Sequence, residues 1–594
     1  MPGPQTERRE HALDSMARGE APGRAGRSSP DISRLSPILA PLAVVALAFP
    51  AIIPLLQGGQ IPGSDDVEHL IRTAEYGRAV ASGIWWPQWA PNLGHGYGEP
   101  IFLFNPPLFY ILGSLVKLAG GSVVSAVNLA CAMLLVVGAL GAYAWTALAL
   151  GRWGGLVAGV AYVWSPYVSL DLYVRQALTE LAAVCVFPWA LWGLARTCQA
   201  PSPRRLALAA LAVGLLLLAS TPAMVVVALA LLGQVLALAR WRRPAGAASA
   251  LAAPVLGGLL AAAFWLPASA ERHLLRFDRL LAGPAAYPNH FLDPGQLVSS
   301  YWGYGGSVPG PDDTMGFGLG RVNLALAACA VLLLVTGQVR GVMRRQAWLA
   351  VGLVAVGCAL SLELSAPIWA WRPELQYLQF PWRFLILPTV GLAALAAVPA
   401  ALVARERPKV AALLALICVG LLMADGWGRA RPEGLRQRGD ERYAPEAVAA
   451  MNRGKATRYE YETVWNKERP AEPPAARLVA MSGSATIVEQ AATAHEQRFA
   501  VTTRESARLR LNTFYFPGWR VFVDGQEQPI DYGNRSGLID FSVEPGTHVV
   551  EARFEPTPVR WLGRTLSVGG LAVLALLMVW PRRVGHRLTV ARAS

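Results

Sequence analysis

Four ionisable side chains crowd into the stretch GSDDVEHL (63–70): Asp65, Asp66, Glu68 and His69, a few residues after an almost uninterrupted apolar run. Carboxylates and an imidazole at this density can move protons, and the set Asp65, Asp66, Glu68 and His69 could hold a divalent metal ion. The same residues also read as an ordinary helix start. Ser64 can cap a helix whose first turn carries the acids against the positive end of the dipole, and Asp65 and His69, four apart, share a face. Position favours chemistry, because ionisable groups beside a bilayer usually have a function.

A membrane-embedded frame must position these groups. The 594-residue chain is 54% hydrophobic and 15% charged, against about a quarter charged in soluble proteins. Apolar runs of roughly 17–25 residues recur, each long enough to cross a bilayer. Spans are predicted at 36–56, 122–148, 155–170, 178–198, 204–219, 222–240, 249–269, 321–338, 347–363, 384–403, 409–425 and 563–580. Segment 104–121 (FNPPLFYILGSLVKLAGG) is ambiguous, and charge decides it. Read as a short interfacial or re-entrant helix on the outer side, it leaves the Arg-rich N-terminus in the cytoplasm. The loops holding Arg152, Arg204/Arg205, Arg242/Arg243, Arg344/Arg345, Arg405/Arg407/Lys409 and Arg582/Arg583 then fall there too, as the positive-inside bias requires. The expectation is a polytopic α-helical membrane protein of about twelve spans with both termini cytoplasmic. Residues 1–35 read as a disordered cytoplasmic N-terminus, and 36–56 as an uncleaved first span, too long for a signal peptide.

In this arrangement the transmembrane domain is 36–425, with outer loops 57–121, 171–177, 270–320 and 364–383, and 563–594 forms the last span and a cytoplasmic tail. The long polar region 426–562 is then an extracytoplasmic domain. Its segments RLRLNTFYF (508–516), WRVFVDGQEQPI (519–530) and GLIDFSVEPGTHVVEARFEP (537–556) alternate apolar and polar residues around DG and PG turns. They predict hairpins of a β-sandwich-like fold. Residues 443–505 carry no clear period, and 466–476 reads as a Pro/Glu-rich connector.

The net charge of +14 does not indicate nucleic acid, because Lys and Arg gather in the short loops between apolar runs. All six cysteines lie in or at the edge of apolar segments, where they serve as small core hydrophobes. No Walker-A loop, dinucleotide glycine fingerprint or G-x-S-x-G elbow occurs in a fitting context. The Gly-rich spans suit close helix packing.

The first outer loop carries a resemblance. A first span is followed by an acidic pair, a helix, Gly83-Ile84-Trp85-Trp86-Pro87 and Pro106-Pro107-Leu108-Phe109-Tyr110. This order resembles GT-C superfamily glycosyltransferases that use polyprenyl-phosphate sugars. More closely, D-x-x-x-H-L-x-R (Asp65, His69, Leu70, Arg72), Y-G-x-P (Tyr97 to Pro100), QFPWRF (379–384) and the C-terminal 515–556 resemble bacterial membrane proteins labelled "6-pyruvoyl-tetrahydropterin synthase-related".

The resemblance implies a GT-C-like enzyme of the bacterial inner (plasma) membrane, working on its extracytoplasmic face. Its partners would be membrane lipid, a polyprenyl-phosphate sugar donor and a glycan, lipid or protein acceptor. The resemblance implies an aspartate base in the first loop, and its pattern selects Asp65 by the spacing to His69, with Asp66 as the alternative. Inverting sugar transfer needs such a base to take the acceptor hydroxyl proton. A departing lipid phosphate needs cations at the outer surface, and arginine suits it through bidentate contacts. Arg383 in QFPWRF and Arg175 in LYVRQALTE are the candidates, and Glu180, five residues after Arg175, is a candidate for binding the acceptor or the sugar. His95, Tyr97 and Glu99, together with Tyr301 and Trp302 of YWGYGG, could line an acceptor or sugar site; so could His290 and Asp293. Two other classes compete. A transporter or flippase would carry mid-span charges and internal repeats, and neither is evident here. A GT-C-like scaffold without catalysis would act through its β-domain in envelope assembly.

Overall fold

The computed structural model describes residues 32–239, 244–281, 283–310, 312–451 and 461–580. The basic N-terminus, the Arg242/Arg243 turn and the Arg582/Arg583 tail lie outside the described residues.

Hydrophobic length dictates the architecture. Among the described residues, eight helices are long and apolar enough to cross a membrane, or up to nine if the pair Ala245–Leu260 and Ala262–Leu274, bent by 73°, counts as one span. The sequence led to a larger number for identifiable reasons. The windows 204–219 and 321–338 correspond to helices of 17 and 15 residues, Pro203–Ala219 and Arg321–Val335, below the ~20 residues that cover a hydrocarbon core.

The 41-residue helix Val123–Val163 also contains a break at Gly151, whose φ of 68° and ψ of −177° leave the helical region. Beyond it, Gly155 faces Tyr143 and Ala147, and Gly159 lies against the Ala139 carbonyl. The chain therefore doubles back at Gly151, a conformation that glycine adopts without steric cost. A side chain at Gly159 would put its Cβ 2.9 Å from that carbonyl oxygen, so the absence of one lets the two arms touch.

The ambiguous segment 104–121 contains the helix Leu108–Leu118. Its 11 residues span about 16 Å, half of what a crossing needs. It packs against the acidic helix Asp66–Ala81 and the start of Val123–Val163.

The polar C-terminal region holds eight strands: β1 (Leu478–Ser482), β2 (Ala485–Ala492), β3 (Glu496–Thr503), β4 (Ala507–Phe514), β5 (Trp519–Val523), β6 (Gln526–Gln528), β7 (Leu538–Val543) and β8 (Gly546–Phe554). They form antiparallel sheets of order β1-β4-β7 and β2-β3-β8-β5-β6. Phe499, Val501, Leu509, Leu511, Ile539, Phe541 and Val550 build one apolar core between them. Asp524 and Gly525, both at positive φ, turn β5 into β6, the two-residue hairpin their types favour.

Strands β1 to β3 arise where no period was legible. The edge strand β2 is almost wholly exposed, and such a strand has no buried face to leave an alternating pattern.

The β-domain is docked, not tethered. The Phe514 amide donates to the Tyr97 carbonyl at 2.9 Å. Trp89 packs edge-on to Trp519 at 5.4 Å. Arg560, fully buried at the start of the last long helix, Pro558–Val579, donates to Glu271 at 2.8 and 3.0 Å.

Candidate functional site

The acidic helix begins one residue later than its sequence suggests. Asp66 is its first residue and Asp65 occupies the N-cap position without a side-chain capping bond, so Ser64 is not the cap. What holds this corner is backbone pairing. The Ser64 and Asp65 amides donate to the Val174 and Arg175 carbonyls at 3.3 and 2.9 Å. Gly63 permits the approach, since a Cβ there would lie 2.5 Å from Gln176 Cγ.

Three of the four clustered ionisable groups face different partners. Asp65 is half-buried. Asp66 is buried and accepts from Gln60 Nε2 at 2.7 Å; Tyr443 donates to the same Gln60 at 3.2 Å. Glu68 pairs with Arg72 at 2.8 Å. His69 is buried, with Nδ1 2.9 Å from the Tyr110 hydroxyl and Nε2 accepting from the Leu178 amide at 3.3 Å. A backbone N–H can only donate, so the proton sits on Nδ1 and the ring is a brace between three segments. Among the described residues no group of three or more acidic, His or Cys side chains converges as metal ligands would. With Asp66, Glu68 and His69 committed elsewhere, the donor set Asp65, Asp66, Glu68 and His69 does not fit a divalent ion.

The two arginines singled out by sequence meet on one carboxylate. Glu180 accepts from Arg175 Nη2 at 3.1 Å, from Arg383 Nε at 3.0 Å and from the Tyr167 hydroxyl. Arg175 also binds Asp171 and stacks over Trp382, 4.3 Å from the ring centroid. Asp171 and Arg175 close a single π-helical turn that ends at Gln176 in the left-handed conformation, and such turns recur at functional sites.

The cluster sets two arginines against two carboxyl groups. Arg175 is 5% exposed and Arg383 14%, so Arg383 is the more accessible. Arg383 uses Nε on Glu180 and Nη1 on the Leu378 carbonyl, which leaves Nη2 uncommitted among the described residues. Asp171 and Tyr167 were not anticipated. The available signal was an acid and a base four apart in an otherwise apolar run, a costly placement unless paired.

The remaining candidates fall elsewhere. Tyr97 is buried with its ring on Phe514 of the β-domain. Glu99 is buried and its backbone pairs with Ala90. His95, two residues before Tyr97, sits at a positive φ of 59°. Tyr97 thus forms part of the joint between the first loop and the β-domain. Tyr301 is exposed, and Trp302 joins it around a narrow crevice with Ser299, Arg321 and Arg429. Asp293 caps a short helix. His290 bridges Ser307 and the Pro284 carbonyl, each at 2.9 Å, and burial lowers its pKa. Its ring packs on Phe380, which stacks on Trp382. His290 thus supports the ring beneath Arg175.

Fold and site together define a polytopic helical membrane protein with a docked β-domain and a buried charged cluster within its helical part. Residues 102–275 match the family model described as a 6-pyruvoyl-tetrahydropterin synthase related domain, membrane protein, the same label that the motifs resemble, and those motifs flank the matched segment on both sides. No curated protein matches the chain. Among solved structures, the arabinofuranosyltransferase AftD from mycobacteria is similar in two forms. A mutant form aligns with TM-score 0.43 and 22% identity, covering 68% of this chain and 29% of that one. A second structure of it gives 0.35 and 20%, covering 68% and 28%. This chain therefore spans less than a third of that enzyme's length.

Proposed function

We propose that the protein is a membrane glycosyltransferase that moves a sugar from a polyprenyl-phosphate donor to an extracytoplasmic glycan, lipid or protein acceptor, with inversion and with Asp65 as general base. The observation that carries the reading is the backbone pairing of 64–65 with 174–175. It ties a half-buried carboxylate to the backbone of the arginine cluster. Asp66, fastened to Gln60, serves as a strut.

In the proposed step the acceptor hydroxyl attacks the anomeric carbon and its proton passes to Asp65. The bond from that carbon to the phosphate oxygen breaks, and the electron pair leaves on the phosphate. Arg383, through Nη2, meets the phosphate, and Glu180, itself held by Arg175, keeps Arg383 in place. This reading keeps about twelve spans, both termini cytoplasmic, and a β-sandwich-like outer domain.

The test is transfer from a panel of radiolabelled polyprenyl-phosphate sugars in membranes carrying wild type, Asp65→Asn or Asp66→Asn. Loss of a general base costs about 10²–10⁴-fold in rate. That loss is expected for Asp65→Asn alone, at unchanged expression. No transfer by wild type from any donor, with both variants complementing a deletion strain, would remove the catalytic reading. A transporter would then gain ground, because the buried Asp171–Arg175–Glu180–Arg383 cluster is also what an ion path through a membrane uses.

A further inference from the structure

At the end of the helical bundle away from the β-domain, the helix Leu178–Gln199 stops, the helix Pro203–Ala219 starts and Pro558–Val579 ends around one cavity of about 870 Å³. Trp192, Arg196, Ser202, Arg204, Arg205 and Trp580 are among its lining residues. The 22 residues from Leu178 to Gln199 separate it from the Asp65 corner by about 33 Å, a full membrane thickness.

Three features converge on an anionic ligand. The partners of the three arginines among the described residues are uncharged. Arg204 Nε donates to the Met578 carbonyl at 2.9 Å, Arg205 Nη1 donates to the Ala200 carbonyl at 2.6 Å, and Arg196 stacks over Trp192 at 5.1 Å. Each guanidinium has five N–H donors, so most remain for a ligand. The N-terminus of Pro203–Ala219 adds its dipole to the same space. Trp192 and Trp580 mark the depth, since tryptophan collects where hydrocarbon meets headgroups.

We propose that this cavity binds the phosphodiester headgroup of an anionic membrane phospholipid. The cavity volume suits a headgroup, and basic pockets between membrane helices are built for this ligand. The guanidinium groups grip the phosphate oxygens, and the indoles flank the upper acyl chains.

The experiment uses full-length protein in nanodiscs and a phosphatidylglycerol bearing a photoreactive headgroup. Cross-links are expected in 192–208 and near Trp580. Unlabelled phosphatidylglycerol should compete and phosphatidylcholine should not. An interfacial cation is worth about fivefold in binding to anionic lipid, so Arg196→Gln with Arg204→Gln should cut labelling about 25-fold. The matching pair of lysine substitutions should keep most of it. Competition by 10 mM inorganic phosphate (~10 mM is saturating for a millimolar anion site) would reassign the site to a soluble phosphate compound and overturn the lipid proposal. Equal competition by phosphatidylcholine, or unchanged labelling of a folded glutamine double variant, would overturn it too. Should that variant fail to fold, the wild-type competition alone decides.

Discussion

Arginines gather at both ends of the helical bundle, and the two groups are handled in opposite ways. Arg175 and Arg383, beside the first loop, are buried on Glu180 and Asp171. Arg196, Arg204 and Arg205, at the far end, contact two carbonyls and an indole. A buried cation must be matched by an anion, because desolvation costs several kcal/mol per ion. Once matched, it defines geometry more than it attracts ligand. A cation left at the interface keeps its charge available. In the proposed readings the first group positions a site and the second captures an anion.

The largest effect expected from this contrast is at Glu180. Glu180→Gln leaves Arg175 and Arg383 partly uncompensated and should destabilise the protein by about 3–5 kcal/mol, read as a fall in the thermal midpoint of the detergent-solubilised chain. A fall no larger than that of a surface substitution would mean that the cluster is not closed as described. Arg560→Met comes next. It strands Glu271 beneath the β-domain and should cost about 3 kcal/mol, with earlier proteolysis of 461–556 as its signature.

A third effect depends on pH. His495 accepts from the Gln88 amide at 3.0 Å, joining the β-domain to the first loop. Burial, aided by Arg564 and Arg560, pushes its pKa down to about 4. The folded state therefore disfavours the proton. Its contribution is intact above the ordinary histidine pKa near 6.5 and is lost as pH falls through that value toward about 4. Hydrogen exchange of the Gln88 amide should rise over that window, and His495→Gln should flatten the rise. The smallest effect is at the far end. Arg204→Gln should change stability by less than about 0.5 kcal/mol while weakening anionic-lipid retention, which separates capture from structural support.

What sequence reveals here depends on how local the cause is. Membrane helices follow from runs of about twenty apolar residues, and the hairpin of β5 and β6 follows from Asp524-Gly525. Both causes lie within a few turns of chain. The exposed strand β2 left no period to read. The N-cap position moved from Ser64 to Asp65, where distant backbone at 174–175, and not a side-chain cap, satisfies the amides of 64 and 65.

By itself, then, the sequence determined a many-helix membrane protein, its polar C-terminal strands, and the acids and arginines worth watching. Charge type, apolar length and turn chemistry are properties of neighbouring residues. Only the tertiary structure decided their use. It placed Arg383 on Glu180, 203 positions apart in the chain, spread Asp66, Glu68 and His69 over three different partners, and buried Tyr97 against Phe514 of the β-domain. Pairing across such separations is governed by which surfaces exclude water together, and no stretch of sequence contains that information locally.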